Sequence, residues 1–347
     1  MGVAAYRIDP GDVDRDRDTL LAIWQGNLGQ DGLMRQKFDW FYKQAPQGRP
    51  LVHLLRHGPE GQVVGVASAG RRRMMCAGKE LRAGVMVDLA VVPAHRALGP
   101  AILLQQSLIR DAAASFDLLY GFPNAKAVPV FKRAGFKQLG DMVRRVRILR
   151  HSSYLARHWP RPVAWFASVF LDAFVRARDA WRSLGAGARM TAQWSSEADP
   201  RMDELWFRIK PGTTLAGVRD HAFSRWRFDA SPLADARYLL VSDTDSGRLR
   251  AWFTCQTVDQ VLRVCDFHGD GPGDVVNADA VRLLLQMARR EGCVAVSMEA
   301  AGETGWQASW IEAGFIERGR RPVFGRWLGT TPQADLPLQL TLADEDE

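Results

Sequence analysis

The sequence predicts two α+β domains in tandem, the second a degenerate copy of the first, and three observations carry that prediction. The chain has 347 residues, 47% of them hydrophobic, which is too long for one ordinary core and apolar enough for two. A set of landmarks recurs in one order at near-constant spacing. Each half also spells out the same succession of helices and strands. The boundaries that follow are residues 1–149 for the first domain, 150–189 for a basic, aromatic helical linker and 190–330 for the second domain. Residues 331–347, ending Ala-Asp-Glu-Asp-Glu, are expected to form a disordered acidic tail.

The landmarks begin with tryptophan. Phe38-Asp39-Trp40-Phe41-Tyr42 leads to Pro46, and Phe223-Ser224-Arg225-Trp226-Arg227-Phe228 leads to Pro232, six positions from tryptophan to proline in both halves. An aspartate inside an apolar run follows, Asp88 in VMVDLAVV and Asp266 in RVCDFH. Ala-Gly-Phe then closes each unit at 134–136 and 313–315, with 47 positions from aspartate to glycine in the first half and 48 in the second. Self-similarity at a fixed period marks a duplicated unit.

The elements fall in matching order. An early helix is expected at 18–27 and again at 202–210. Strands follow at 51–56 and 63–71, and at 238–242 and 249–257, rich in Val, Leu and aromatics and separated by glycine turns. After the aspartate strand come a helix (101–116; 278–291) and an apolar strand (118–122; 294–298), an α+β order with one central crossover. Between the halves, residues 150–188 combine Trp159, Trp165, Phe166, Phe170, Phe174 and Trp181 with six arginines. Such a segment either packs one domain onto the other or lies on anionic lipid as a peripheral membrane contact.

Composition narrows the function classes. The net charge of +7 suits a polyanionic partner, but lysine occurs only seven times, so the charge is nearly all arginine, a bias that genome composition alone produces. No nucleic-acid-binding motif has its required spacing, and no nucleic-acid partner is expected. Cys76, Cys255, Cys265 and Cys293 lie far apart, with no Cys-x-x-Cys pair and no histidine at ligand spacing; they read as buried thiols in a reducing compartment, with no metal. Residues 1–20 lack the apolar core of a secretory signal. The longest apolar run, 163–175, contains Asp172 and falls short of the ~20 residues that span a bilayer. A cytoplasmic protein is expected, at the inner face of the membrane if the linker engages lipid.

The chemistry is concentrated after Asp88. The run from Val85 to Val92 is an apolar strand that turns through Pro93 into Arg96-Ala97-Leu98-Gly99-Pro100-Ala101 and then a helix. Backbone N–H groups at a helix start lack partners and carry the positive end of the helix dipole, so a diphosphate placed there gains hydrogen bonds. Gly99 and the small Ala101 let the backbone come close, Arg96 supplies charge, and Pro100 suits a first helical turn.

These residues resemble the GNAT acyltransferase superfamily. Its signature is Arg or Gln, two residues, Gly, one residue, then Gly or Ala, after a strand of the form Leu-x-Val-x-Pro; Leu89, Val91, Pro93, Arg96, Gly99 and Ala101 match. A second block, Asn124-x-x-Ala127-x-x-x-Phe131-x-x-x-Gly135-Phe136, is similar to the family's Asn-x-x-Ala-x-x-x-Tyr-x-x-x-Gly-Phe. The duplication and the Trp40–Pro46 segment look like a bacterial tandem subgroup associated with exopolysaccharide biosynthesis. The resemblance implies two GNAT-like folds and binding of acetyl-CoA or another acyl-CoA. Its pantetheine arm would lie between the strands 85–92 and 118–122, and a backbone N–H near Val91 or Val92 would polarise the thioester carbonyl. The cofactor-binding residues implied are Leu89, Val91, Val92, Arg96, Ala97, Leu98, Gly99, Pro100, Ala101, Asn124 and Phe131.

One position departs from the family. Phe131 stands where many members have a tyrosine that protonates the departing thiolate. Asp88, as base, and Tyr120, near the end of the strand beside the cofactor, are the substitute catalytic residues. His95 faces the phosphates at its loop position and is not chosen. In the second half Asp274 stands where the cradle arginine is expected, so that domain should not hold a diphosphate. It would instead help to build an acceptor site, with Glu299, Glu303, Trp306 and Trp310 as candidates, although tryptophans at helical spacing also suit a core. The acyltransferase reading names a small-molecule or saccharide acceptor. Its rivals are a Fem-type aminoacyltransferase that uses charged transfer RNA and a non-catalytic CoA-binding or scaffold protein. Two fused folds imitate a dimer, so a monomer or a homodimer is expected.

Overall fold

In the first half, apolar residues with helical or strand periodicity form β1 (Tyr6–Pro10), α1 (Arg17–Trp24), and α2 (Met34–Lys37), which runs straight into a π-helical turn, Phe38–Lys43. The long meander β2 (Leu51–His57), β3 (Gln62–Cys76) and β4 (Lys79–Val91) follows. Then come α3 (Leu98–Ala112), β5 (Leu118–Gly121), α4 (Val128–Arg133) and β6 (Lys137–Ile148). The computed structural model describes residues 6–29, 31–150, 189–209, 212–233, 235–271, 276–329 and 336–346, so the linker expected at 150–189 lies almost wholly outside the described residues.

The second half repeats the first. It contains β7 (Met190–Ser195), α5 (Arg201–Arg208), a short β8 (Leu215–Gly217), and α6 (His221–Ser224) running into the π-helical turn Arg225–Asp229. The meander β9 (Arg237–Asp243), β10 (Leu249–Val258) and β11 (Val261–Gly269) precedes α7 (Ala278–Arg290), β12 (Ala295–Gly302), α8 (Ala308–Glu312) and β13 (Ile316–Trp327). A last strand, β14 (Leu338–Thr341), and a 3-10 turn, Leu342–Asp344, have no counterpart in the first half.

The two halves share one sheet. Its order among the described residues is β1-β2-β3-β4-β5-β13-β6-β12-β11-β10-β9-β7, with β8 and β14 attached off this path. Each half therefore gives its last strand to the other: β13 pairs with β5 and β6 with β12, both antiparallel, and β6 and β13 pair with each other at the centre. The exchange covers the edge that each short parallel pair, β4 with β5 and β11 with β12, would otherwise expose.

At the centre the repeated tryptophans meet. Trp40 and Trp226 stack with ring centroids 5.1 Å apart, and each donates its indole N–H to the other's backbone carbonyl, at 2.6 and 3.3 Å. A reciprocal contact of this kind is what a local two-fold relation between copies produces. One face of the sheet carries a separate core for each half, one with Leu104 and Leu108 of α3 and Phe131 of α4, the other with Leu284 of α7 and Trp310 of α8 against Val264 of β11. The opposite face carries one core built by both, including Trp24, Trp40, Tyr120, Trp226, Trp252 and Leu340.

The tail is not disordered over its described residues. β14 pairs antiparallel with β12 and parallel with β8, and Leu338, Leu340, Thr341, Leu342, Ala343 and Asp344 are all buried. Leucines at 336, 338, 340 and 342 alternate as a strand requires, and the carboxylates that follow find cationic partners, Asp344 in Arg219, Glu345 in Arg321 and Asp346 in Lys37. Thr341 and Asp344 form a reciprocal capping box that ends the strand.

Candidate functional site

β4 and β5 run parallel only through Ala83↔Leu118, Gly84↔Leu119 and Val85↔Tyr120, after which they part. β4 goes on beside β3, while the end of β5 is held by β13 through Phe324↔Gly121. A bulge drives the parting. Between the pairs Val66↔Ala90 and Ser68↔Val87, β4 has one residue more than β3, and Asp88 takes up the excess with φ of 52°. Bulged strands bend, and aspartate tolerates the left-handed region better than a branched residue would.

The wedge so formed aims one backbone donor into its gap. Val92 N–H is spent on Val64 O at 2.9 Å, and because antiparallel residues alternate, Val91 turns its N–H and C=O the other way, toward the gap. Of the two donors expected from the sequence, Val91 is the one the ladder leaves facing the gap, and the N–H of Val92 is committed to β3. Arg96 lies at one side of the mouth. Its Nε donates to Val91 O at 3.0 Å, and its Nη2 donates to Asn27 Oδ1, beyond the end of α1.

Helix α3 begins at Leu98, three residues before the expected start, with Ala97 extended (φ −122°, ψ 162°) as its N-cap and no side chain capping it. The free first-turn donors therefore belong to Leu98 and Gly99, since Pro100 has none and Ala101 N–H closes the first helical bond to the N-cap. A Cβ added at Gly99 would meet nothing within 4 Å. The fold itself thus places no steric demand for glycine there, and the space beside the helix start is open. An exposed arginine, uncapped N–H groups and an open approach together fit a diphosphate.

The second sequence block supports the wedge from beneath. Asn124 Oδ1 accepts from the N–H groups of Lys126 and Ala127 at 3.1 and 3.0 Å, which fixes the turn into α4. Phe131 is buried against Phe136 and Phe324, and its ring would lie 3.1 Å from a Cβ on Gly121, so the end of β5 is kept slim. Both residues position β5, and their side chains are committed to the protein. Leu89 is half-buried and packs on the α3 side. His95 is drawn away from the cradle, with Nδ1 2.9 Å from Tyr6 Oη and its ring 4.5 Å from that of His57.

Asp88 and Tyr120 project to the shared core, each already bonded. Asp88 accepts from Lys37 Nζ at 3.0 Å and Tyr42 Oη at 2.7 Å; burial pushes its carboxyl above the usual range, and Lys37 opposes the shift. Tyr120 Oη donates to Asp344 O at 2.9 Å, and burial holds its phenol well above its ordinary value. A small void lined by Trp24, Leu28, Met34, Lys37 and Leu233 reaches Asp88.

The second wedge is built alike and filled. β11 and β12 pair from Val261↔Ala295 to Val264↔Met298, a bulge at Cys265 follows, and β12 then pairs instead with β14 through Ala300↔Thr341, Ala301↔Leu340 and Gly302↔Gln339. Asp266, the counterpart of Asp88, accepts from Arg219 Nε at 2.8 Å and Thr341 Oγ1 at 2.6 Å, and Arg219 also holds Asp344. Asp274 lies outside the described residues. Trp306, stacked on Phe267, and Trp310, fully buried, are core residues and not a cleft wall; Glu303 is exposed, and Glu299 does border a cleft. Sequence reasoning missed Arg72, Arg219, Arg227 and Asp344, whose buried contacts tie the tail to both halves.

No protein-family model matches the sequence, and no curated protein matches it. Solved structures do match. A GCN5-related N-acetyltransferase of Anabaena variabilis aligns with a TM-score of 0.62 at 12% identity, covering 93% of this chain and 73% of that one. One from Kribbella flavida gives 0.61 at 13% identity, over 93% and 72%. Saccharomyces cerevisiae N-myristoyltransferase with bound myristoyl-CoA gives 0.55 at 12% identity, over 94% and 84%. The chain therefore has the fold of the GCN5-related N-acetyltransferases, which the expected fold class anticipated. Among the described residues no helix is long and apolar enough to cross a membrane.

Proposed function

We propose that the chain is an acyltransferase that carries an acetyl or other acyl group from acyl-CoA to an amine or hydroxyl. The observation that carries this reading is the open first wedge, with an uncapped helix start and an unobstructed Gly99 at its mouth. Coenzyme A supplies an activated thioester. The chain's own residues then have separable tasks. Arg96 and the N–H groups of Leu98 and Gly99 hold the diphosphate, the small Ala101 lets it approach, and Val91 N–H donates to the carbonyl oxygen where negative charge develops. Asp88, kept basic by burial and bonded to Tyr42 and Lys37, accepts the acceptor's proton through that pair. Tyr120 steadies the tail against β5 in this scheme. A small-molecule or saccharide acceptor, such as a surface-polysaccharide precursor, suits the site, and the protein works in the cytoplasm as a monomer or homodimer. The segment 150–189 gives it a route to the inner membrane face.

Calorimetric titration with acetyl-CoA tests the reading, with Arg96→Glu beside the parent chain. Saturable binding by the parent, weakened about a hundredfold (~2.7 kcal/mol) in the variant, is expected. Absence of binding by the parent at millimolar ligand would sink the proposal.

A further inference from the structure

On the sheet face that carries the shared core, a cleft of about 380 Å³ lies beside the filled wedge, bordered by Arg144, Arg263, Ser297, Glu299, Asp259 and Leu342. The register explains the grouping. Arg263 stands opposite Ser297 across β11 and β12, and Glu299 stands opposite Arg144 across β12 and β6, so these four side chains leave one face in two adjacent rows.

Their charges do not cancel. The Glu299 carboxylate is already taken by Arg321, which also holds Glu345. Arg219 on the same face is matched by Asp266 and Asp344. Arg144 and Arg263 are exposed and have no acidic partner among the described residues; the remaining carboxylate, Asp259, sits in the exposed two-residue turn at the rim. Two unmatched guanidiniums flanking a hydroxyl in a concave surface form a receptor for a phosphate group, whose several oxygens can accept from each planar fork.

Arg321 links the rim of the cleft to the end of β5. The Arg321 guanidinium lies 5.5 Å from the centre of the Phe122 ring, immediately past the end of β5, and reaches Glu299 at the cleft on its other side. We infer that this cleft holds the phosphate of a phosphorylated acceptor, whose amine or hydroxyl extends past Arg321 to the wedge. The inference deepens the acyltransferase reading and rests on it for the word acceptor, whereas the phosphate site itself can be tested separately.

The test uses the full chain saturated with CoA, so that the wedge loop is occupied, and titrates inorganic pyrophosphate by calorimetry. One pyrophosphate site should remain. Arg144→Gln and Arg263→Gln should each weaken it about tenfold, and the double variant should abolish it with CoA affinity and Tm unchanged. Persistence of that site in the double variant, or full competition between CoA and pyrophosphate, would overturn the inference. Should CoA fail to bind at all, the acyltransferase reading falls, and the same titration of the Arg96→Glu chain with and without the two glutamines still decides whether the cleft takes phosphate.

Discussion

Two wedges of the same ancestry face opposite fates in this molecule. In the first, β4 and β5 part and no strand among the described residues enters the gap; in the second, β11 and β12 part and the chain's own β14 enters the gap. The aspartates at the two bulges follow suit. Asp88 is answered by Lys37 and Tyr42 from its own half, while Asp266 is answered by Arg219 and by Thr341 of the inserted segment. One copy of the duplicated wedge thus stays open, and the other becomes a socket for residues 338–344. The need to satisfy the backbone edge of β12 explains why the filling is a strand and not merely an apolar side chain.

The strongest way to break this contrast is to loosen the socket. Asp344→Ala leaves Arg219 buried with one carboxylate partner lost, and should cost about 3–5 kcal/mol in urea unfolding. A loss no larger than that of a surface substitution would mean that β14 is dispensable and both wedges are effectively open.

Acid should strike the second half more than the first. His268, two positions past Asp266, is buried between Trp206 and Trp252, and burial lowers its pKa to about 3, whereas the first half has Ala90 at the matching place. Below pH 6.5 the unfolded chain takes a proton that the folded chain refuses, so stability falls as pH drops from 6.5 toward 3, by about 2 kcal/mol at pH 5. Urea midpoints at pH 7 and pH 5 should therefore converge in His268→Gln. An unchanged difference would place the acid sensitivity elsewhere.

The smallest expected effect sharpens the comparison most. Gly302→Ala would bring a Cβ within 2.2 Å of Trp306 and should cost about 1–3 kcal/mol, whereas Gly99→Ala meets no atom and should leave Tm within about 1 °C while weakening acetyl-CoA. One glycine is required by packing, and the other is not. Equal thermal shifts in the two variants would erase that distinction.

Much of this was legible beforehand. The repeated Trp-to-Pro spacing, the element order and the Arg96–Ala101 turn follow from local periodicity and short-range stereochemistry, and the structure places them close to the expected positions. The start of α3 moved to Leu98 because a proline in the third helical position is as acceptable as one in the first. The alternating leucines before the acidic terminus were a strand signal overshadowed by Asp-Glu-Asp-Glu.

What the sequence determined by itself is the duplicated α+β order, the apolar strand around each aspartate and the turn from Arg96 into a helix, because each depends on residues within a few positions of one another. Only the tertiary structure decided that the halves exchange β6 and β13, that Trp40 and Trp226 clasp each other, and that the terminus fills one wedge and spares the other. Those outcomes depend on which distant edges and buried charges find partners, and the pairing of Arg219 with Asp344, 125 positions away, leaves no local trace in the chain.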